Sequence, residues 1–213
     1  MVITRPNHDV TTNYLSFWSQ SVIDYADKRS LHVIDLRGPR ATRKEFESVL
    51  CKRGGQAFIF LNGHGSADKV GGQNNEVLVE VGENDDIFFG TVVYARSCSS
   101  AAVLGPASVA KGAMAYLGYT DDFVFFIEDE YMTRPLNDKT AQLFLEPSNQ
   151  VAMAILKGHS VGEANGQSKD MIKHTIQTLM TSETPKEEKE LIPYLRWNLI
   201  HQVCLGDTSA RLA

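Results

Sequence analysis

Two apolar runs, Ala57-Phe58-Ile59-Phe60-Leu61 and Thr91-Val92-Val93-Tyr94-Ala95, each break abruptly into an island of small and polar residues. The first opens onto Asn62-Gly63-His64-Gly65-Ser66, the second onto Arg96-Ser97-Cys98-Ser99-Ser100. An unalternating apolar run marks a strand covered on both faces, as in a parallel sheet. Such a sheet displays functional groups at the carboxyl ends of its strands. A histidine and a cysteine delivered there by neighbouring strands have the makings of a thiol nucleophile and its base.

The flanking sequence supports an α/β fold. Leu15, Trp18, Val22 and Tyr25 recur at helical spacing and predict an amphipathic helix over 12–28. A short buried strand over 31–36 follows, broken by Gly38-Pro39; Thr42 then caps a helix running to Arg53 and ended by Gly54-Gly55. Strand, helix, strand is the unit that builds parallel sheets. Residues 65–75 read as a loop, and 76–81 alternate as a half-exposed strand, one arm of a hairpin turning at 82–86. A helix over 101–111 is expected directly after Cys98, then strands at 113–117 and 123–127. From Asn137 the pattern is helical: 138–145 and 150–156 separated by Pro147, then 160–180. An exposed charged linker at 181–190 leads to a last helix carrying Leu191 to Val203 and stopping at Gly206-Asp207.

The expected architecture is a mostly parallel sheet with helices on both faces and a helix-rich C-terminal third. One domain should span 1–213: a helical N-terminal extension (1–30), a core sheet holding the site (31–135) and a helical remainder (136–213).

Composition narrows the function. At 43% hydrophobic and 22% charged residues, the 213-residue chain has an ordinary globular balance. Net charge is −5 with scattered Lys and Arg, which argues against nucleic acid as a partner. No apolar run approaches the ~20 residues of a membrane span, and the N-terminus lacks an apolar signal core. Three cysteines without CxxC spacing argue against a disulfide framework or zinc knuckle. A cytoplasmic protein without metal or cofactor is expected.

Cys98 stands out because small polar neighbours surround it at a strand end, before an expected helix whose N-terminus would favour the thiolate. His64 lies between two glycines, which permit the tight turn a strand-end loop needs. Cys51 and Cys204 are expected in the core, and His8, His32, His159, His174 and His201 as structural or solvated residues. One further motif, Gly158-His159-Ser160-Val161-Gly162, matches the G-x-S-x-G nucleophile elbow and would make Ser160 the nucleophile of an acyltransferase or hydrolase. That elbow needs a strand before the serine. Here 151–157 favour helix, Gly158 suits a helix stop, and Ser160 with Glu163 reads as a capping box.

A strand ending in His-Gly followed by a strand ending in Ser-Cys resembles the caspase-like cysteine peptidases of clan CD. That group includes caspases, metacaspases, gingipains, clostripain, separase and the prokaryotic CHAT peptidases. Gly63-His64-Gly65-Ser66 and Arg96-Ser97-Cys98-Ser99-Ser100 are similar to the islands of the prokaryotic members, and Leu205-Gly206-Asp207-Thr208-Ser209 looks like a segment near the end of gingipain-type domains. The resemblance implies a caspase-like three-layer sandwich and a cysteine endopeptidase working through a Cys98–His64 dyad. It implies an oxyanion hole from the backbone N–H groups of Gly65 and Cys98. It also implies a primary specificity pocket drawing on Asp35, Arg96, Asp121 and Asp122. The acids favour a basic P1 residue, and prokaryotic relatives commonly prefer one; Arg96 opposes it, unless it sits in a structural ion pair. A protein or peptide substrate is implied, with an activating protein or signalling partner as an option. A regulated or inactive interaction subunit is the alternative.

Overall fold

The computed structural model describes residues 1–52 and 57–212. The two apolar runs form neighbouring strands, β3 (Phe58–Asn62) and β6 (Val92–Arg96), buried along their whole length and paired in parallel from Phe58↔Val92 to Asn62↔Arg96. Around them a six-stranded sheet runs β2-β1-β3-β6-β7-β8, with β1 at Val2–Arg5, β2 at Ile34–Arg37, β7 at Ala115–Tyr119 and β8 at Gln202–Gly206. All neighbours are parallel except β7 and β8.

Alternate side chains of each strand enter opposite layers. Ile3, Phe58, Phe60, Val92, Tyr94 and Leu117 pack with helices α1 (Val10–Trp18), α2 (Gln20–Asp27), α5 (Lys139–Leu156) and the start of α6 (Val161–Leu179). Val2, Leu36, Ile59, Leu61, Val93 and Ala95 pack on the other face with α3 (Arg43–Cys51), α4 (Leu104–Ala110) and the hairpin of β4 (Lys69–Gly71) and β5 (Val77–Glu80). A satellite cluster joins Phe144 of α5, Ile172 and Ile176 of α6 and Leu195 of α8 (Ile192–His201). The fold is α/β, a mainly parallel sheet with helices on both faces, as expected. Among the described residues no helix is long and apolar enough to cross a membrane.

Several elements differ from expectation. The N-terminal segment is not only a helical extension: β1 lies between β2 and β3 inside the sheet. The helix over 12–28 divides at Ser19, whose hydroxyl donates to Leu15 O and accepts from Arg96. The loop over 65–75 contains β4, so the hairpin partner of β5 precedes it. Residues 123–127 are not a strand, because β7 already has β6 on one side and β8 on the other. Pro147 lies inside the continuous α5, where buried Phe144, Leu145, Val151 and Ala152 outweigh the missing backbone donor. The last helix ends at His201, and the next five residues pair antiparallel with β7 as β8. The linker over 181–190 carries the short α7 (Lys186–Lys189). Cys51 is exposed at the end of α3, not in the core; the expected stop at Gly54-Gly55 lies outside the described residues.

Strand order also says where a ligand belongs. The chain leaves β1 towards β2 through α1 and α2, and leaves β3 towards β6 through the β4–β5 hairpin on the opposite face. Adjacent parallel strands whose connections diverge open a crevice beyond their carboxyl ends. The loops after β1 and β3 meet there.

Candidate active site

His64 follows β3 by two residues and Cys98 follows β6 by two residues, each beyond the paired positions Asn62↔Arg96. The parallel register therefore carries both residues to the same end of the sheet on adjacent strands. Two glycines allow this. Gly63 has φ +145°, and a side chain there would drive its Cβ to 2.3 Å from Gly71 O. At Gly65 a Cβ would lie 2.8 Å from Cys98 O and 2.9 Å from Ser97 Cβ, so the two islands touch only because residue 65 has no side chain.

The histidine island is anchored by the hairpin. Gly71 N donates to His64 O at 2.8 Å and Ser66 N to Lys69 O at 3.0 Å, closing the Gly65–Val70 bridge without using the Gly65 amide. His64, Gly65, Ser66, Lys69, Asn75 and Val77 line an open cleft of about 360 Å³. Other hollows, such as that between Met1, His32 and Leu156, lie away from these two islands.

The residue missed by the sequence reading is Asp9. Its carboxylate oxygen Oδ2 lies 2.7 Å from His64 Nε2, across 55 residues of chain. Asp9 is also the N-cap of α1, with Oδ1 accepting from Thr12 N at 2.7 Å and Thr12 closing a capping box. Burial works to raise the Asp9 carboxyl. The Thr12 backbone, the His64 and Thr12 side chains and the His64 charge outweigh it and hold Asp9 below the usual carboxylate range. The available signal was short: the apolar Met1-Val2-Ile3, then Pro6, then Asp9 with Thr12 three residues on, which is how a strand, a turn and a capped helix begin. His8, expected to be structural or solvated, stands beside the pair, its ring centroid 6.1 Å from that of His64.

The cysteine island is built differently. The helix expected over 101–111 begins only at Leu104, six residues past Cys98, and Ser99 next to the cysteine takes φ +56°, a left-handed conformation. No helix N-terminus therefore supports the thiolate. Burial pushes the Cys98 thiol above its ordinary pKa, the Asp122 carboxylate adds to this, and the backbone N–H of Phe123 pulls against it. Ser99 N donates to Asp121 O at 2.9 Å, tying the turn to the segment after β7. A strained non-glycine residue beside a candidate nucleophile is the kind of feature that clusters at functional sites.

The other expected pocket residues are distributed unevenly. Asp122 is exposed and next to Cys98, and Asp121 is half-buried. Asp35 forms an ion pair with buried Arg5. Arg96 is wholly buried on the α1–α2–α5 side, not in a pocket open to solvent. Its guanidinium donates to Asn62 Oδ1 and Asn149 Oδ1 at 2.9 Å each, to Leu15 O at 3.0 Å and to Ser19 Oγ at 2.6 Å. It also lies 5.1 Å from the Phe60 ring centroid. All these partners are neutral, so Arg96 is not in the structural ion pair weighed from sequence. Burial lowers its pKa to about 10, which leaves it charged at neutral pH.

Ser160 caps α6. Its hydroxyl accepts from Glu163 N, Ser160 N donates to the Glu163 carboxylate, and a helix rather than a strand precedes it, so the elbow geometry is missing. No model of a known protein family matches the chain, and no curated protein sequence matches it either.

Proposed function

We propose that the chain is a cysteine endopeptidase of caspase-like architecture, in which Cys98 is the nucleophile, His64 the base and Asp9 the residue that orients His64. The observation that carries this reading is the site at one end of the sheet: base and nucleophile on adjacent parallel strands, with the imidazole already bonded to a carboxylate. A nucleophile, a base and a third group that orients the base is the general pattern of covalent acyl transfer.

In this mechanism the Asp9 carboxylate accepts a hydrogen bond from His64 Nε2–H, so Nδ1 carries the free lone pair. His64 takes the thiol proton as sulfur attacks the scissile carbonyl, and the carbonyl oxygen becomes an oxyanion. The backbone N–H groups of Gly65 and Cys98 are the donors for that oxygen, each such donor typically contributing ~3 kcal/mol to lowering the barrier. His64 then gives the proton to the leaving amine, and water attacks the thioester to regenerate the thiol. A basic P1 residue fits best: Arg96 is turned inward, and exposed Asp122 is the charged group next to the sulfur.

A regulated enzyme is the second reading. It is favoured by the Asp122 carboxylate beside Cys98, which with burial pushes the thiol above its ordinary pKa and would suit activation by a partner that moves Asp122. A peptide library randomised at P1, incubated with the chain and with Cys98→Ala, tests both. Cleavage after Lys or Arg by the parent alone is expected. Cleavage retained in Cys98→Ala would remove the cysteine from the mechanism; no cleavage, with Cys98 still labelled by an electrophilic peptide, would select the regulated form.

A further inference from the structure

The loop after β1 places two side chains, His8 and Asp9, against His64. One ring nitrogen of each histidine and one Asp9 carboxylate oxygen all lie within 4.8 Å of one another. His8 Nε2 is 3.4 Å and His64 Nε2 is 2.7 Å from the same oxygen, Asp9 Oδ2. We propose that His8, Asp9 and His64 form a binding site for a divalent transition-metal ion of the zinc type, and that an ion held there disables His64 as a base. The inhibitory consequence rests on the peptidase reading; the binding site does not.

The donor set selects the ion. Two imidazoles and one carboxylate suit Zn²⁺ and similar ions, whereas Ca²⁺ and Mg²⁺ take oxygen shells. The spacing suits it as well. Two donors ~2.0–2.1 Å from a tetrahedral ion stand ~3.4 Å apart. The His8–Asp9 pair already has that separation, the His64–Asp9 hydrogen bond needs to open by less than about 1 Å, and the two imidazole nitrogens, within 4.8 Å of each other, need to close by at most about 1.4 Å. Asn75 Oδ1 is 3.2 Å from His8 Nε2, a hydrogen bond the ion would replace. Three protein donors leave a fourth position for water. All three lie in the loops after β1 and β3, and the cleft that His64 and Asn75 line is open to solvent.

The consequence follows from counting protons on one ring. A neutral imidazole has one N–H and one lone pair. With Nε2–H directed at Asp9, the lone pair on Nδ1 is available to the Cys98 thiol. An ion on Nε2 occupies that nitrogen's lone pair, so the ring proton resides on Nδ1. No lone pair is then left to accept a proton from sulfur. The same shift takes place on His8, whose Nε2 gives up its bond to Asn75 Oδ1 to bind the ion while its ring proton moves to Nδ1.

Equilibrium dialysis of the full chain against Zn²⁺, with bound metal measured by mass spectrometry, tests the site directly. The expected result is one Zn²⁺ per chain in the parent and in Cys98→Ala, and binding weakened at least roughly 100-fold in His8→Ala. Should alanine disturb the loop, as circular dichroism would report, His8→Gln repeats the test with a polar side chain. In the peptide assay, Zn²⁺ should inhibit the parent at concentrations at least roughly 100-fold below those needed for His8→Ala. No stoichiometric binding to the parent overturns the proposal. So does binding that survives in His8→Ala and vanishes in Cys98→Ala, which would put the ion on the His64–Cys98 pair. His8-dependent binding by a chain that neither cleaves peptides nor is labelled at Cys98 by an electrophilic peptide supports the metal site and overturns the peptidase reading instead.

Discussion

The two halves of the site are prepared to different degrees. On the β1–β3 side, His64 is fixed by the Gly71 amide on its backbone and by Asp9 on its ring, and Asp9 is itself fixed by the capping box of α1. On the β6 side, Cys98 lies in a strained turn, its thiol pushed above its ordinary pKa by burial and by Asp122. The histidine side is held by bonds already in place, whereas the cysteine side is not. On the proposed peptidase reading, reactivity would be gated at sulfur, because organising an imidazole costs little once a helix cap holds its carboxylate, whereas a buried thiolate must be stabilised when it forms.

The comparison breaks at once if the two halves do not work together. Cys98→Ala and His64→Ala should each lower kcat for a peptide reporter by about 10⁴-fold or more, and the double variant should lose little beyond either single one, since residues acting as a unit are non-additive. Additive losses in that cycle would mean that they serve separate steps.

Asp9→Asn sharpens the assembled half. Asparagine is as good an N-cap as aspartate, so thermal stability should change little, whereas Asp9→Ala should cost ~1 kcal/mol. Without the carboxylate charge, kcat should fall roughly 100-fold with KM nearly constant, as expected for a misplaced base. If Asn and Ala variants lose activity only in proportion to stability, Asp9 is a cap and nothing more.

Asp122→Asn probes the gated half through pH. Iodoacetamide reacts with the thiolate, so the raised pKa puts the midpoint of Cys98 alkylation above that of an ordinary cysteine. Removing the carboxylate relieves one of the causes of that rise, and the midpoint should move to lower pH, with faster labelling near neutrality. An unchanged midpoint would leave burial as the whole cause. The smallest effect belongs to Ser160→Ala: loss of the α6 cap should cost ~1 kcal/mol in thermal unfolding and leave peptide hydrolysis intact.

How far each feature was legible follows the range of the interactions that make it. The α6 cap is readable because Ser160 and Glu163 are three residues apart and bond to each other. The strands β3 and β6 are readable because an unbroken apolar run ending in glycine or small polar residues has few other outcomes. By contrast, 202–206 continue an apolar helix-like pattern, and only the free edge of β7 makes them a strand. Arg96 looked like a pocket residue because a charge at the end of a strand usually meets water. Its acceptors come from Asn62, Leu15, Ser19 and Asn149, the last three at 53 or more residues' distance, so no local pattern announces them.

What the sequence by itself determined, then, is the α/β character and the pair of islands at the ends of β3 and β6, because apolar patterning and glycine breaks are local and strong. Only the tertiary structure brought Asp9 and His8 to His64, turned Arg96 inward and set Asp122 against Cys98. Those relations depend on β1 entering the sheet beside β3 and on the segment after β7 folding back over the cysteine turn. They join residues far apart in the chain through the closure of the sheet, and a sequence pattern does not encode which distant partners that closure will supply.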